Sequence, residues 1–200
     1  IEMLRAELGL DKSLPEQYGI WVWNIAQLDM GYSIGTQRLV KDIIAIHIGT
    51  TLKLAAGAWI FAVSVGVSVG VLAAVKRATV WDYIGRIFAL FGQATPQFWT
   101  GVMAILIFAV ILGWFPAGTL GRQEGNFFLW KNLQHWILPW IVLGWPAAAG
   151  IMRLTRSSML EILDSEYIKL GRAKGVSPQK IIWKHALRNA LIPPLTSSLV

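Results

Sequence analysis

Three long uncharged runs, separated by short polar stretches, dominate the pattern of the chain. Residues 54–75 hold 22 positions without a charge, enough to cross a hydrocarbon core of about 30 Å. Residues 87–121 are uncharged for 35 positions, more than one crossing needs. Proline disfavours helix at the residue before it, so Pro96 breaks this run near its start. The second span is then expected at about 98–115, ended by Pro116 and Gly118. Residues 132–152 are a third run of 21, with a span at about 133–152 that contains Pro139, Gly144 and Pro146. Such a helix is expected to kink, and neighbouring groups to satisfy the carbonyls that the prolines leave free. Residues 189–200 begin a fourth span, and their 12 positions are too few to cross.

Between and around these runs the pattern changes. Residues 1–49 are mixed and amphipathic, with Asp11, Pro15, Asp29, Gly31 and Gly35 as breakers and Trp21 and Trp23 as interfacial anchors. They read as an extracytoplasmic segment of short helices, preceding a transmembrane domain over 50–200. In the first span Ala62, Gly66 and Gly70 recur every four residues on one helical face. Small residues at that spacing let a second backbone approach closely; the alternative is a lipid-facing helix with incidental glycines.

The stretch 166–194 is the most polar and basic part of the chain, with Lys169, Arg172, Lys174, Lys180, Lys184 and Arg188 against the single acid Glu166. Asp164 or Ser165 can cap a short helix whose first turn carries Glu166, and Gly175 suits its C-terminal end. Ser177 can cap a second helix with Pro178 at its first position. The reading is helix, tight corner, helix: a knob within the loop 153–188.

Composition supports a membrane protein. Hydrophobic residues make up 55% and charged residues only 14%, where a soluble domain has about a quarter charged. Mean hydropathy is +0.54. The absence of cysteine excludes disulfides and thiolate metal sites. The net charge of +7 does not point to nucleic acid, because the charges sit in the gaps between apolar runs. Lysine and arginine number three over 76–86 and eight over 153–188, against four over 1–49 and two over 116–135. Spans alternate sides, so the two dense loops share one side, expected to be cytoplasmic, with Arg77 and Lys169 inside and Lys12 and Glu124 outside.

The basic stretch also carries a resemblance. Residues 171–175 with Ser177, and residues 185–193 (HALRNALIP), resemble the cytoplasmic loop of permease subunits of binding-protein-dependent ABC importers of the dipeptide, oligopeptide and nickel group. Residues 95–118 (TPQFWTGVMAILIFAVILGWFPAG) resemble the B-type permease of that group. Gly171 stands where the group commonly has alanine, and the general EAA-type signature is only partly kept, its leading triplet falling on Lys169, Leu170 and Gly171.

The resemblance implies an all-α polytopic membrane protein with the type I ABC importer permease fold (MetI-like), a fragment lacking the first and last helices, in a bacterial or archaeal inner membrane. It implies a second permease subunit, two ATPase subunits and an extracytoplasmic substrate-binding protein as partners, with the lipid bilayer around them and no nucleic acid. ATP and Mg would be held by the ATPases and no cofactor by this chain. It further implies a coupling helix docking on an ATPase, formed by Glu166, Tyr167, Lys169, Leu170, Gly171, Arg172, Ala173, Lys174, Gly175 and Val176. By composition alone the same loop is also readable as a solvated positive-inside segment.

No phosphate-binding loop motif occurs in the sequence, nor a serine, histidine and aspartate constellation, so the chain is not expected to be an enzyme. Gln93, Thr95, Gln97 and Thr100, placed at the cytoplasmic start of the second span, read first as capping or interhelical hydrogen-bonding groups and second as path-lining residues. Trp114, Phe115, Trp130, Trp136 and Trp140 read as an aromatic belt at the outer interface. The alternative of a secondary transporter or channel without an ATPase is disfavoured by the lack of charged residues inside the spans.

Overall fold

The computed structural model describes residues 12–118 and 127–198, in two compact units, Ile1–Lys53 and Leu54–Val200. In the first unit, α1 (Leu14–Ala26) starts with proline in its first turn and buries no residue of its own. Left-handed backbone at Leu28, Gly31 and Gln37 shapes the chain after it, with one antiparallel bridge between Tyr32 and Leu39. The next helix, α2 (Val40–Val75), begins earlier than the uncharged run, and its charged first turns carry Lys41 and Asp42.

The second unit is built on α2 and α5 (Trp130–Leu163), the two described helices long and apolar enough to cross a membrane. α2 brings Ala62, Gly66 and Gly70 to α5. A Cβ at Gly66 would lie 2.7 Å from the carbonyl oxygen of Ala148, and one at Gly70 would lie 2.8 Å from that of Met152. Reciprocally, a Cβ at Gly144 would lie 2.6 Å from the Ala58 carbonyl. Backbones this close exclude any side chain, which is what small residues at four-residue spacing allow. The pairs rise together along both helices, so α2 and α5 run parallel.

Between them come α3 (Val80–Ala94) and α4 (Gln97–Ala104), the latter continuing as a π-helical segment (Ile105–Ile111). α3 packs antiparallel on α5 through a face of Asp82, Gly85, Ala89 and Gly92, with Gly85 at Met152 and Gly92 at Trp145 and Ala149. Phe88 stacks on Trp145, whose indole Nε1–H donates to the Phe88 carbonyl at 3.3 Å. Thr95 and Pro96 are extended, and α4 leaves at 109° to α3. The two helices pass as a membrane span only when taken together.

The second span therefore differs from its expected limits. Its helix stops at Ile111 rather than 115, because Gly113 takes a left-handed conformation, φ 65°. α5 outruns its expected span at both ends and continues through Pro139 and Pro146 as one helix. Trp136 is no belt residue: it is buried, edge-on to Phe127 and beside Trp140. Glu124, expected on the outer side, lies outside the described residues.

Beyond α5 the chain forms α6 (Glu166–Ala173), then α7 (Pro178–Lys180) running into a second π-helical segment (Ile181–Ala186), α8 (Leu187–Ala190) and α9 (Ile192–Ser198). The second helix of the knob is thus irregular, not one capped helix. Ser165 and Ser177 occupy the N-cap positions, but neither side chain makes a cap bond. The Ser165 hydroxyl donates instead to the Ile162 carbonyl at 2.7 Å.

Candidate functional site

The knob is assembled from α6, its corner and the π-helical segment. Ile168 is its anchor, 1% exposed, and belongs to a core of Val71 and Ala74 from α2, Met159 from α5, and Ile181, Ala186 and Ala190. Burying an isoleucine contributes on the order of 2–3 kcal/mol. The corner closes with two bonds that end a helix around a left-handed residue: Val176 N–H to the Gly171 carbonyl at 3.2 Å, and Gly175 N–H to that of Arg172 at 3.0 Å. Gly175 has φ 76°, and Val176 packs back on the Ile168 core. Nothing lies within 4 Å of where a Cβ would stand on Gly175 or Gly171, so the surface there is open.

The other side of α6 faces outward. Tyr167 is 52% and Leu170 56% exposed, two large apolar groups among Lys169, Arg172 and Lys174. Lys169 pairs with Glu166 one turn away at 2.8 Å, both exposed. Tyr167 is edge-on to His185 and its hydroxyl shares a hydrogen bond of 2.7 Å with Nδ1. A cavity of about 200 Å³ opens among Tyr167, Leu170, Gly171, Lys174, Val176 and His185. All ten residues that the sequence grouped as a coupling element lie in this one short stretch, Ala173 ending α6.

A charged clasp stands beside the knob's mount. The Asp82 carboxylate, 1% exposed, accepts from Arg156 Nε at 2.7 Å and Nη2 at 3.0 Å, from Arg86 Nη2 at 3.1 Å and from the Ala78 N–H at 3.0 Å. Its four bonds satisfy a charge that burial would otherwise make costly. Ala78 itself is left-handed, φ 60°, in the turn from α2 to α3. Two turns further along α5, Asp164 pairs with Arg77 at 3.3 Å, both exposed. Met159, on which Ile168 sits, lies between these two attachments in the chain. Sequence reasoning missed the clasp. Its signal was Asp82 as the lone acid among Lys76, Arg77 and Arg86, four residues before the last.

The four polar residues near the α3–α4 elbow sit deeper than expected. Gln97 Nε2 donates to the Val142 carbonyl at 3.4 Å, and Gln93 lies near Gly150. Val142 is 11 residues from Lys131 and 11 from Arg153, the charges flanking the apolar part of α5. At 1.5 Å per residue that is about 16 Å from either, half of a hydrocarbon core of about 30 Å. The elbow is thus midway through the layer, not at its cytoplasmic start, because α3 already descends along α5. Thr95 donates to the Phe91 carbonyl, and Thr100 lies 3.4 Å from the Thr95 hydroxyl and 3.3 Å from the Pro96 carbonyl. Thr95 and Thr100 therefore have local partners, and Gln97 has one on α5. Among the described residues no cluster of histidine and carboxylate groups could hold a metal ion.

The sequence matches known proteins. Residues 66–200 match the family described as binding-protein-dependent transport system inner membrane component. A putative peptide permease protein of Brucella suis biovar 1 (strain 1330) is 40% identical over 98% of this chain and 62% of its own length. The di/tripeptide transport system permease protein DppB of Pseudomonas aeruginosa (strain UCBPP-PA14) is 39% identical over 94% of this chain and 62% of its own length. The dipeptide transport system permease protein DppB of Alkalihalophilus pseudofirmus is 38% identical over 96% and 63%. The chain spans somewhat under two thirds of the length of these relatives.

Proposed function

The chain belongs to the family of binding-protein-dependent transport system inner membrane components, and we propose that it is the permease subunit of an ABC importer for di- or oligopeptides. The family is one of multi-pass inner-membrane transport components rather than enzymes. ATP hydrolysis, with its Mg, is assigned to two separate ATPase subunits. A second permease completes the path, and an extracytoplasmic binding protein delivers the substrate. The peptide assignment follows the names of the relatives.

The observation that carries the coupling reading is the two-sidedness of α6. Ile168 fixes one side to both long helices, while Tyr167 and Leu170 leave an apolar patch open on the other. Exposed large apolar groups rimmed by charge mark a surface for a protein partner. A short helix held by the spans and gripped by an ATPase would move as a lever when the ATPases close, alternating access to the path. Leu170→Asp in the full-length chain tests this. The variant is expected to reach wild-type membrane levels yet lose the ATPase on co-purification. Retention of the ATPase at wild-type yield would reject α6 as the docking helix.

A further inference from the structure

We propose that Gln97 is a positioning residue that ties the α3–α4 elbow to α5 at mid-depth, and that this tie gates the route beside it; the gating part rests on the permease reading above. Proline has no N–H, so Pro146 leaves the carbonyl four residues before it, that of Val142, without its helical partner. In hydrocarbon an unmet carbonyl is costly, and no water is at hand to meet it. Gln97 meets it from the first turn of α4, across 45 residues of sequence.

The geometry makes this bond more than local repair. α3 is fastened to α5 along its whole length, at Asp82, Gly85, Ala89 and Gly92. α4 turns through 109° from α3 and passes α5 in ordinary contact, a Cβ at Gly101 lying 3.6 Å from Val142 Cγ1. Gln97 therefore stands where the closely packed half of the broken span gives way to the half in ordinary contact with α5. Thr95 and Pro96, both extended, form the link between the two halves. A cavity of about 200 Å³ lies in the crook of the elbow, bordered by Phe91, Thr95, Trp99, Thr100 and Trp145. Releasing the tie lets α4 swing and changes the width of that space.

Two variants act on the same bond from opposite ends, one removing it and the other giving its acceptor a competing donor. Gln97→Leu removes the donor. Pro146→Ala restores an N–H that takes the Val142 carbonyl back into the helix. The test uses the full-length chain with its partner subunits in liposomes, carrying spin labels on Val110→Cys and Lys131→Cys. Both positions are exposed and the chain has no natural cysteine. Each variant is expected to shift or broaden the 110–131 distance and to raise ATP-independent efflux of trapped dialanine about threefold, the scale of one interhelical hydrogen bond in a membrane. The double variant should be no worse than either single, since both remove one interaction. Unchanged distances in both singles, or single effects that add in the double, would overturn the tie. Shifted distances with wild-type efflux would overturn the gate. Failure of the unsubstituted complex to retain an ATPase would overturn the importer reading and the gate with it, leaving the tie to be judged on the distances.

Discussion

The glycines of the α2–α5 seam and those of the knob do opposite work. At Gly66 and Gly70 the backbone is ordinary helix and space is what is missing: a Cβ would strike carbonyl oxygens of the facing helix at 2.7 and 2.8 Å. At Gly175 space is free and conformation is what is demanded, φ 76° with nothing within 4 Å. The seam thus needs small residues because two backbones meet. The knob needs glycine because the chain must turn and leave a surface open. One region holds the spans together; the other shapes an exposed corner.

The largest expected effect lies in the seam. Gly66→Leu or Gly70→Leu forces side-chain carbons against main chain that cannot yield, and overpacking of this kind costs about 3 kcal/mol or more. Both variants should lower the yield of folded chain in detergent, and thermal unfolding measured by circular dichroism reads the loss. Wild-type melting in both would show that this face does not meet α5.

Next comes the clasp. Loss of the charge-assisted hydrogen bonds from Arg156 and Arg86 to Asp82 costs about 2 kcal/mol. Asp82→Asn should lower the thermal stability at pH 7 by about that much, read by circular dichroism. An Asp82→Asn chain as stable as wild type at pH 7 would contradict the clasp.

A milder effect is expected at the corner of the knob. Gly175→Val places a β-branched residue in left-handed backbone, at about 1–2 kcal/mol, without any steric clash. Gly175→Asn tolerates that conformation better and should recover most of the loss. Lys180→Ala removes one exposed charge and should change stability by less than about 0.5 kcal/mol.

The contrast also explains what the sequence made legible. The four-residue repeat of Ala62, Gly66 and Gly70 marks a packing face because helical periodicity is local. A glycine closing a short helix at 175 marks a left-handed corner for the same reason. The partner of the seam was not legible, since α5 meets it with Gly144, Ala148, Ile151 and Thr155, positions at helical spacing whose mixture of small, apolar and polar side chains singles out no face. The clasp joins Asp82 to Arg156 across 74 residues, a separation over which sequence alone gives no pairing rule. The depth of the elbow was hidden because a 35-residue uncharged run carries no charge to mark where the membrane begins. The need of a prolyl-freed carbonyl for a neighbour was foreseeable from Pro146; that Gln97 would be the neighbour was not.

The most direct test of the account is ATPase co-purification with the full-length Gly175→Val chain, alongside its membrane insertion. The account predicts normal insertion, because the seam is untouched, and loss of the ATPase, because the corner that shapes the knob is distorted. A Gly175→Val chain that inserts and retains the ATPase at wild-type yield, while Lys180→Ala loses it, would show that the loop acts through its charge and not its shape.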